Sequence, residues 1–379
     1  MRLLSRSIED KKLVWFEATN RYVVMEEPAY EVFLKLKGSI SNQSIAAWFS
    51  KAYDITTAEA TSFINEIQQF IDANRKPVAL SRPAIYPDSN QVPAAIDCYA
   101  VKQYRFSGSD FCFHYQHQRI ERMIHPLLAH LECKYTGEAC HQFHMFRLED
   151  TICLQTNGAF IGRWGADETH LFKGKVFLEL LNRANKKEER EWMAVLHASA
   201  VTDGDSSIII TGRSGRGKST ALSLLLAHGF GFIADDFVPL EAASGKIFPF
   251  PIAISVKEGS VEILEERFPE LRHAQLFHYR AAGKRVRYLT PPSNARDNNS
   301  VAVKAIVFVN YQPGAQLELR EIPQHNAIQE LVTESWVSKQ YENAERFLDW
   351  FLSLPCYQLT YSDNDQMIAV IQNLFRDAK

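Results

Sequence analysis

Long apolar runs are missing from this chain. No stretch approaches the ~18 consecutive apolar residues of a membrane span, and no apolar segment follows Met1, so neither a spanning helix nor a secretory address is expected. An excess of one charge is missing too. The 42 Lys and Arg residues face 45 Asp and Glu, a formal net charge of −3, which argues against a general binder of nucleic acid. Cysteine is sparse: Cys98, Cys112, Cys133, Cys140, Cys153 and Cys356 show none of the dense spacing of a disulfide framework, and a reduced, cytoplasmic setting is expected. Cys133, Cys140, His141 and His144 lack a C-x-x-C knuckle and fall in a strand-like pattern, so structural residues are expected there rather than zinc ligands. What is present is 379 residues, 46% hydrophobic and 23% charged, enough for two or three domains with cores of their own.

The stretch that organises the rest is Thr211-Gly212-Arg213-Ser214-Gly215-Arg216-Gly217-Lys218-Ser219-Thr220. It follows Ile208-Ile209-Ile210, a buried-strand pattern, and opens Ala221-Leu222-Ser223-Leu224-Leu225-Leu226, a helical one. Residues 212–219 fit the Walker A pattern G-x-x-x-x-G-K-[ST], and each residue type has a task. The glycines allow successive N–H groups to turn inward on phosphate oxygens, and the helix start adds partial positive charge. Lys218 is suited to the β- and γ-phosphates, and the Ser219 hydroxyl to Mg²⁺. A plain Gly/Ser turn would need neither the strand before nor the helix after. Residues 212–220 are therefore read as a nucleotide site, with the reaction still open.

Fifteen residues past the loop, an apolar strand over 230–234 ends in Asp235-Asp236. This places an acidic pair at the carboxyl end of a strand beside the loop's strand, where open α/β sheets hold ligands. One carboxylate can help to hold a metal and the other can take the proton of an attacking hydroxyl. Two close carboxylates also resist ionising together, which raises one pKa. The plainer alternative is an Asp-Asp turn that caps the strand.

Ahead of this core the chain changes character twice. Leu13-Val14-Trp15-Phe16 and Tyr22-Val23-Val24-Met25 read as a hairpin, followed by a helix from Pro28 to a stop at Gly38, a second from Ser41, and a third over 57–72 with Ala60, Phe63, Ile64, Ile67, Phe70 and Ile71 on one face. Residues 77–97 carry Pro77, Pro83, Pro87 and Pro93 and read as a linker. Residues 98–190 show alternating segments such as Phe111-Cys112-Phe113-His114-Tyr115 and His141-Gln142-Phe143-His144-Met145-Phe146, half-exposed antiparallel strands, then a helix over 174–183. They read as a β-rich lead-in that widens the core and walls the cleft. Residues 195–201 read as one strand, 276–292 as a loop with Arg280, Lys284, Arg285 and Arg287, and 303–309 as a buried strand. That basic loop could close on phosphate or on an acidic acceptor, or simply face solvent; Lys257 has the same two readings.

Residues 1–76 resemble the PqqD-like fold, a winged-helix module, in the hairpin at Tyr22-Val23-Val24-Met25 and the helices that follow. The resemblance implies recognition of a leader peptide, in ribosomal peptide maturation, by strand addition. A structural or dimerising module has the same pattern. Leu196-His197-Ala198, the loop at 212–220 and Gly229-Phe230-Gly231-Phe232-Ile233-Ala234-Asp235-Asp236 resemble the catalytic domain of HPr serine kinase/phosphorylase in type, order and spacing, over 191–379. The expected fold is thus α/β: an HPr-kinase-like P-loop core with a β-rich lead-in, after a small winged-helix α+β domain. The resemblance implies that Lys218 stabilises the transferred phosphoryl, Ser219 binds Mg²⁺ with Asp235 in support, Asp236 is the base and His197 assists it. Thr220 stands where those enzymes have Glu, and residues 250–259 depart from their E-I-R-G-L-G segment, which counts against phosphorolysis and against HPr as substrate.

The expectation is an ATP- and Mg²⁺-dependent kinase acting on a hydroxyl, such as a serine in a peptide brought by the N-terminal module; another phosphoryl donor stays open. A small-molecule alcohol kinase and a nucleotide-gated chaperone that transfers nothing are the alternatives. The expected partners are the nucleotide and a peptide or protein substrate, with neither nucleic acid nor membrane; a homo-oligomer is left open.

Overall fold

Apolar residues near the start of the chain come in continuous rather than alternating runs. The computed structural model, which describes residues 2–38, 40–75, 97–134, 140–279, 283–292 and 299–376, shows why. Strands β1 (Leu3–Ile8), β2 (Lys11–Phe16) and β3 (Arg21–Glu26) form an antiparallel sheet in that order. Along β2, Val14 and Phe16 pack with Phe33 and Ile71 of the helices that follow, while Leu13 and Trp15 join the main core of the chain. A sheet covered on both faces needs apolar residues on both. The helices are α1 (Glu27–Lys37), with Pro28 in its first turn, α2 (Asn42–Tyr53), capped by the Ser41 hydroxyl, and α3 (Thr57–Arg75). β1, with its mixed Leu3-Leu4-Ser5-Arg6-Ser7-Ile8, has no hairpin signal and is an addition to the sequence reading. The linker expected over 77–97 lies, except for Asp97, outside the described residues.

The next unit is a five-stranded sheet in chain order: β4 (Ala100–Phe106), β5 (Ser109–Tyr115), β6 (His141–Leu148), β7 (Thr151–Thr156) and β8 (Ala159–Trp164). Every pair is antiparallel except β5 with β6, which is parallel. The exception corrects the all-antiparallel reading, and its cause is helix α4 (Gln118–Leu128), which carries the chain across between the two strands. Helix α5 (Thr169–Ala184) begins five residues before the expected Gly174.

The remainder forms a larger sheet around β9 (Trp192–Leu196), β10 (Ser199–Thr202), β11 (Ser206–Thr211), helix α6 (Lys218–Ala227), β12 (Gly231–Asp235), β13 (Val238–Glu241) and β14 (Lys246–Ile247). A side sheet follows, of β15 (Ile254–Lys257), β16 (Phe277–Tyr279) and β17 (Lys284–Leu289), with the short α7 (Val261–Leu264) after β15. The chain returns to the large sheet in β18 (Val301–Tyr311), β19 (Glu318–Glu321), α8 (Gln324–Thr333), β20 (Trp336–Val337), α9 (Tyr341–Leu352) and β21 (Cys356–Tyr361), and closes with α10 (Asn364–Arg376). The order is β12-β10-β11-β18-β14-β13-β9-β20, with β21 between β18 and β19. β11 runs parallel to β18, and β18 to β21. The chain is thus mixed α/β. The basic segment read as a loop is instead largely an antiparallel strand pair, β16 with β17, and Arg280 lies outside the described residues.

The small N-terminal sheet docks on the large unit. Tyr22 meets Phe347 edge-on at 5.4 Å and Trp15 meets Tyr341 at 6.0 Å. Arg6 bonds Asp349 at 2.7 Å and Glu345 at 3.1 Å, and the Asn20 amide donates to the Val337 carbonyl at 2.8 Å. Among the described residues, no helix is long and apolar enough to cross a membrane.

Candidate active site

β10 lies between β11 and β12 and is antiparallel to both. The carboxyl ends of β11 and β12 and the amino end of β10 therefore share one edge of the sheet. This corrects the expectation that β12 would neighbour β11 directly, and it explains how a histidine upstream reaches the same place. The run 195–201, read as one strand, is two: β9 pairs with β13 and β20 while β10 pairs with β11 and β12, and the chain breaks at His197 to change neighbours. The His197 N–H is held by the Ser335 hydroxyl at 3.1 Å.

At the end of β11 the glycines take left-handed angles: φ is +135° at Gly212, +89° at Gly215 and +100° at Gly217. Gly212 also passes so close to β18 that a Cβ there would stand 2.8 Å from the Val309 carbonyl oxygen. The turn is tied to β18 by the Tyr311 N–H, which donates to the Arg216 carbonyl, and by Arg216 itself, which donates to the Asn310 side chain at 2.9 Å. Arg213, Ser214 and Gly215 are exposed. Lys218 is buried in the first turn of α6 and folds its ammonium back on the Gly212 carbonyl at 2.7 Å. Thr220 donates to Ser260 at 2.8 Å.

Asp235, 1% exposed, accepts from the Ser199 hydroxyl at 2.6 Å and from the Ser219 hydroxyl at 3.3 Å, both on Oδ1, and from the Ser255 N–H on Oδ2 at 3.3 Å. Burial, and then the neighbouring charge of Asp236, push its pKa up to about 7 against the pull of these three donors. Asp236 sits at φ +60°, a left-handed angle that Asp tolerates better than most residues, and its carboxylate is half-exposed. The two aspartates thus part: one faces inward to Ser219, the other faces the cleft. The His197 Nε2 lies 3.9 Å from Asp236 Oδ1 and 3.4 Å from Glu334 Oε2.

These groups border a cleft of about 400 Å³. The loop, Asp236 and His197 form one wall. The rest of the lining includes Met123 of α4, His170 and Lys173 of α5, and Tyr279, Lys284 and Tyr288 of the side sheet. Tyr279 and Tyr288 share a hydroxyl–hydroxyl bond of 2.6 Å. Lys257 reaches Ser214 at 3.3 Å, and burial, with Lys284 and Lys218 nearby, lowers its pKa. None of the described lining residues comes from residues 2–75. Lys173, Tyr288 and Glu334 escaped the sequence reading. The only signal for Lys173 was its place just ahead of the apolar run of α5.

A magnesium ion fits the donor set. A hydroxyl and a carboxylate 3.3 Å apart are hard oxygen ligands, and a buried carboxylate with a raised pKa is one that a cation would relieve. A second cluster of ligand-type side chains among the described residues, Glu9, Asp10 and His325, belongs to the docked N-terminal sheet and helix α8, outside the cleft.

No protein-family model and no curated protein matches the chain. Among solved structures it is similar to the Hpr(Ser) kinase/phosphatase from Coxiella burnetii, with 13% identity and a TM-score of 0.23. The match covers 48% of this chain and 93% of that one.

Proposed function

We propose that the chain is an HPr-kinase-like P-loop phosphotransferase that moves a phosphoryl group from ATP to a hydroxyl. The observation that carries the reading is the meeting of Lys218, Ser219 and Asp236 in the lining of a single cleft, with Asp235 bonded behind Ser219 and His197 beside Asp236. In this reading the glycine turn holds the phosphates with backbone N–H groups, and Lys218 leaves the Gly212 carbonyl to balance charge on the transferred group. Ser219 and Asp235 would hold Mg²⁺, which would neutralise phosphate charge. Asp236 orients the acceptor hydroxyl and takes its proton, and His197 steadies the Asp236 carboxylate. Phosphoryl transfer asks little covalent chemistry of a protein, so positioning by these residues supplies most of the rate.

Residues 1–76 as a PqqD-like unit, 98–190 as a lead-in and 191–379 as the catalytic domain complete the reading. Strand addition at an outer edge of the β1-β2-β3 sheet would then bring a serine-containing peptide. A small-molecule alcohol is the second acceptor reading, favoured by a cleft to which the N-terminal sheet gives no lining residue. The test is mass spectrometry of candidate peptides and alcohols after incubation with Mg²⁺-ATP. A located phosphate is expected with the native chain and none with Asp236→Asn, which should still bind nucleotide. Normal turnover by that variant would refute Asp236 as the base; nucleotide binding with no transfer to any acceptor would favour the chaperone alternative.

A further inference from the structure

Three lysines converge on the cleft from three elements: Lys173 from α5, Lys257 from the end of β15 and Lys284 from the start of β17. Among the described residues none of them makes an ion pair. Lys173 is half-buried with its ammonium 5.9 Å from the centre of the Phe177 ring, and Lys257 donates to the Ser214 hydroxyl at 3.3 Å. Burial lowers the pKa of both Lys173 and Lys257, and Lys284 presses on each from nearby. Unpaired cations crowded into a partly dry cleft raise the energy of the folded state unless an anion answers them.

The lysines divide between two anions. Lys257 touches the glycine turn and feels Lys218, so the donor's phosphates answer it. Lys173 and Lys284 line the cleft together with Asp236, and among the described residues neither has a hydrogen bond to the glycine turn, which leaves this pair free for the acceptor. We propose that Lys173 and Lys284 seat an anionic group of the acceptor, so that the substrate is a hydroxyl compound bearing its own carboxylate or phosphate. The inference rests on the kinase reading of the cleft. In the step it serves, the acceptor oxygen bonds to the γ-phosphorus while the bond from that phosphorus to the bridging oxygen breaks. ADP leaves with the electron pair, and the hydroxyl proton passes to Asp236.

The anion could belong to a free small molecule or to an acidic peptide, and paired probes distinguish the two. With the protein saturated by Mg²⁺ and the non-hydrolysable ATP analogue AMPPNP, calorimetry compares glycerate with glycerol, and a serine peptide flanked by aspartates with its asparagine counterpart. In at least one pair the charged member should bind about tenfold tighter or more. Lys173→Met and Lys284→Met should each erase most of that preference while AMPPNP affinity holds, and Lys173→Arg, which keeps the charge, should retain it. Equal binding within both pairs, no binding of either charged probe, or a preference that survives both Met variants overturns the proposal. If AMPPNP itself fails to bind, the kinase reading falls, and the same pairs without nucleotide still decide whether the lysines seat an anion.

Discussion

The two walls of the cleft are built in opposite ways. The wall that would hold phosphate comes mainly from one stretch of chain, 211–236, in which a strand, a turn, a helix and a second strand follow one another. The other wall collects single residues from α4, α5 and the side sheet, with Glu334 reaching His197 from the end of α8. A contiguous wall fixes its geometry by local backbone rules. A collected wall depends on packing between elements far apart in sequence, so it can be altered piece by piece. Substitutions on the first wall should therefore cost orders of magnitude, and those on the second should tune what is bound.

The largest effects should come from Asp236→Asn and Lys218→Ala. Loss of the base should lower kcat by up to about 10⁴-fold, and loss of the lysine by about 10²–10³-fold, measured by single-turnover transfer from labelled ATP. If Lys173→Met proved as damaging to kcat as either, the division between the walls would fail.

Next comes the pH dependence of stability. Asp235 holds its proton up to about pH 7 in the fold, against 3.8 for the free side chain, so the native state is the better proton acceptor. Its contribution is fully present below pH ~4 and is lost as pH rises through about 7. Thermal melts without Mg²⁺ should show the melting temperature falling between pH 5 and 8, a slope that Asp235→Asn flattens. A native melting temperature that rose over that interval would place the carboxylate charge elsewhere.

Smaller again is the backbone of the turn. Gly212→Ala forces an L side chain to φ +135° with its Cβ 2.8 Å from the Val309 carbonyl oxygen, and should cost about 1–3 kcal/mol in chemical denaturation. A neutral result would mean that the turn moves freely off β18.

The same contrast sets what could be read from the sequence. Gly212, Gly217, Lys218 and Ser219 announce themselves because backbone geometry ties residue type to spacing within one loop. The unbroken apolar runs at 13–16 and 305–309 announce strands for a similarly local reason. His197 was legible as a residue but not as a break: nothing in Val195-Leu196-His197-Ala198-Ser199 marks a change of strand partner, which tertiary pairing alone decides. Lys173, Lys284 and Glu334 are ordinary charged residues in ordinary positions, and only the convergence of α5, β17 and α8 gives them a common target. Residues 1–76 show the limit from the other side. Their hairpin and helices follow from pattern, yet the docking of Trp15 and Tyr22 on α9 does not. That docking makes removal of the N-terminal unit a poor test of peptide delivery, since it would uncover apolar core as well as remove a binding surface.

The smallest expected change sharpens the comparison most. Glu334 lies nearer the His197 imidazole than Asp236 does, 3.4 Å against 3.9 Å, yet it stands at the end of α8, and its side chain is more exposed than that of Asp236. In the kinase reading a carboxylate there would orient the ring without receiving the acceptor's proton, and a solvated partner of this kind is worth about 1 kcal/mol. Glu334→Gln keeps the shape and removes the charge. It should lower kcat about fivefold to tenfold with nucleotide affinity unchanged. A fall as deep as that of Asp236→Asn would move the proton's destination from the contiguous wall to the collected one. Retention of full activity would leave the His197 ring to Asp236 and its backbone to Ser335, with no part for Glu334.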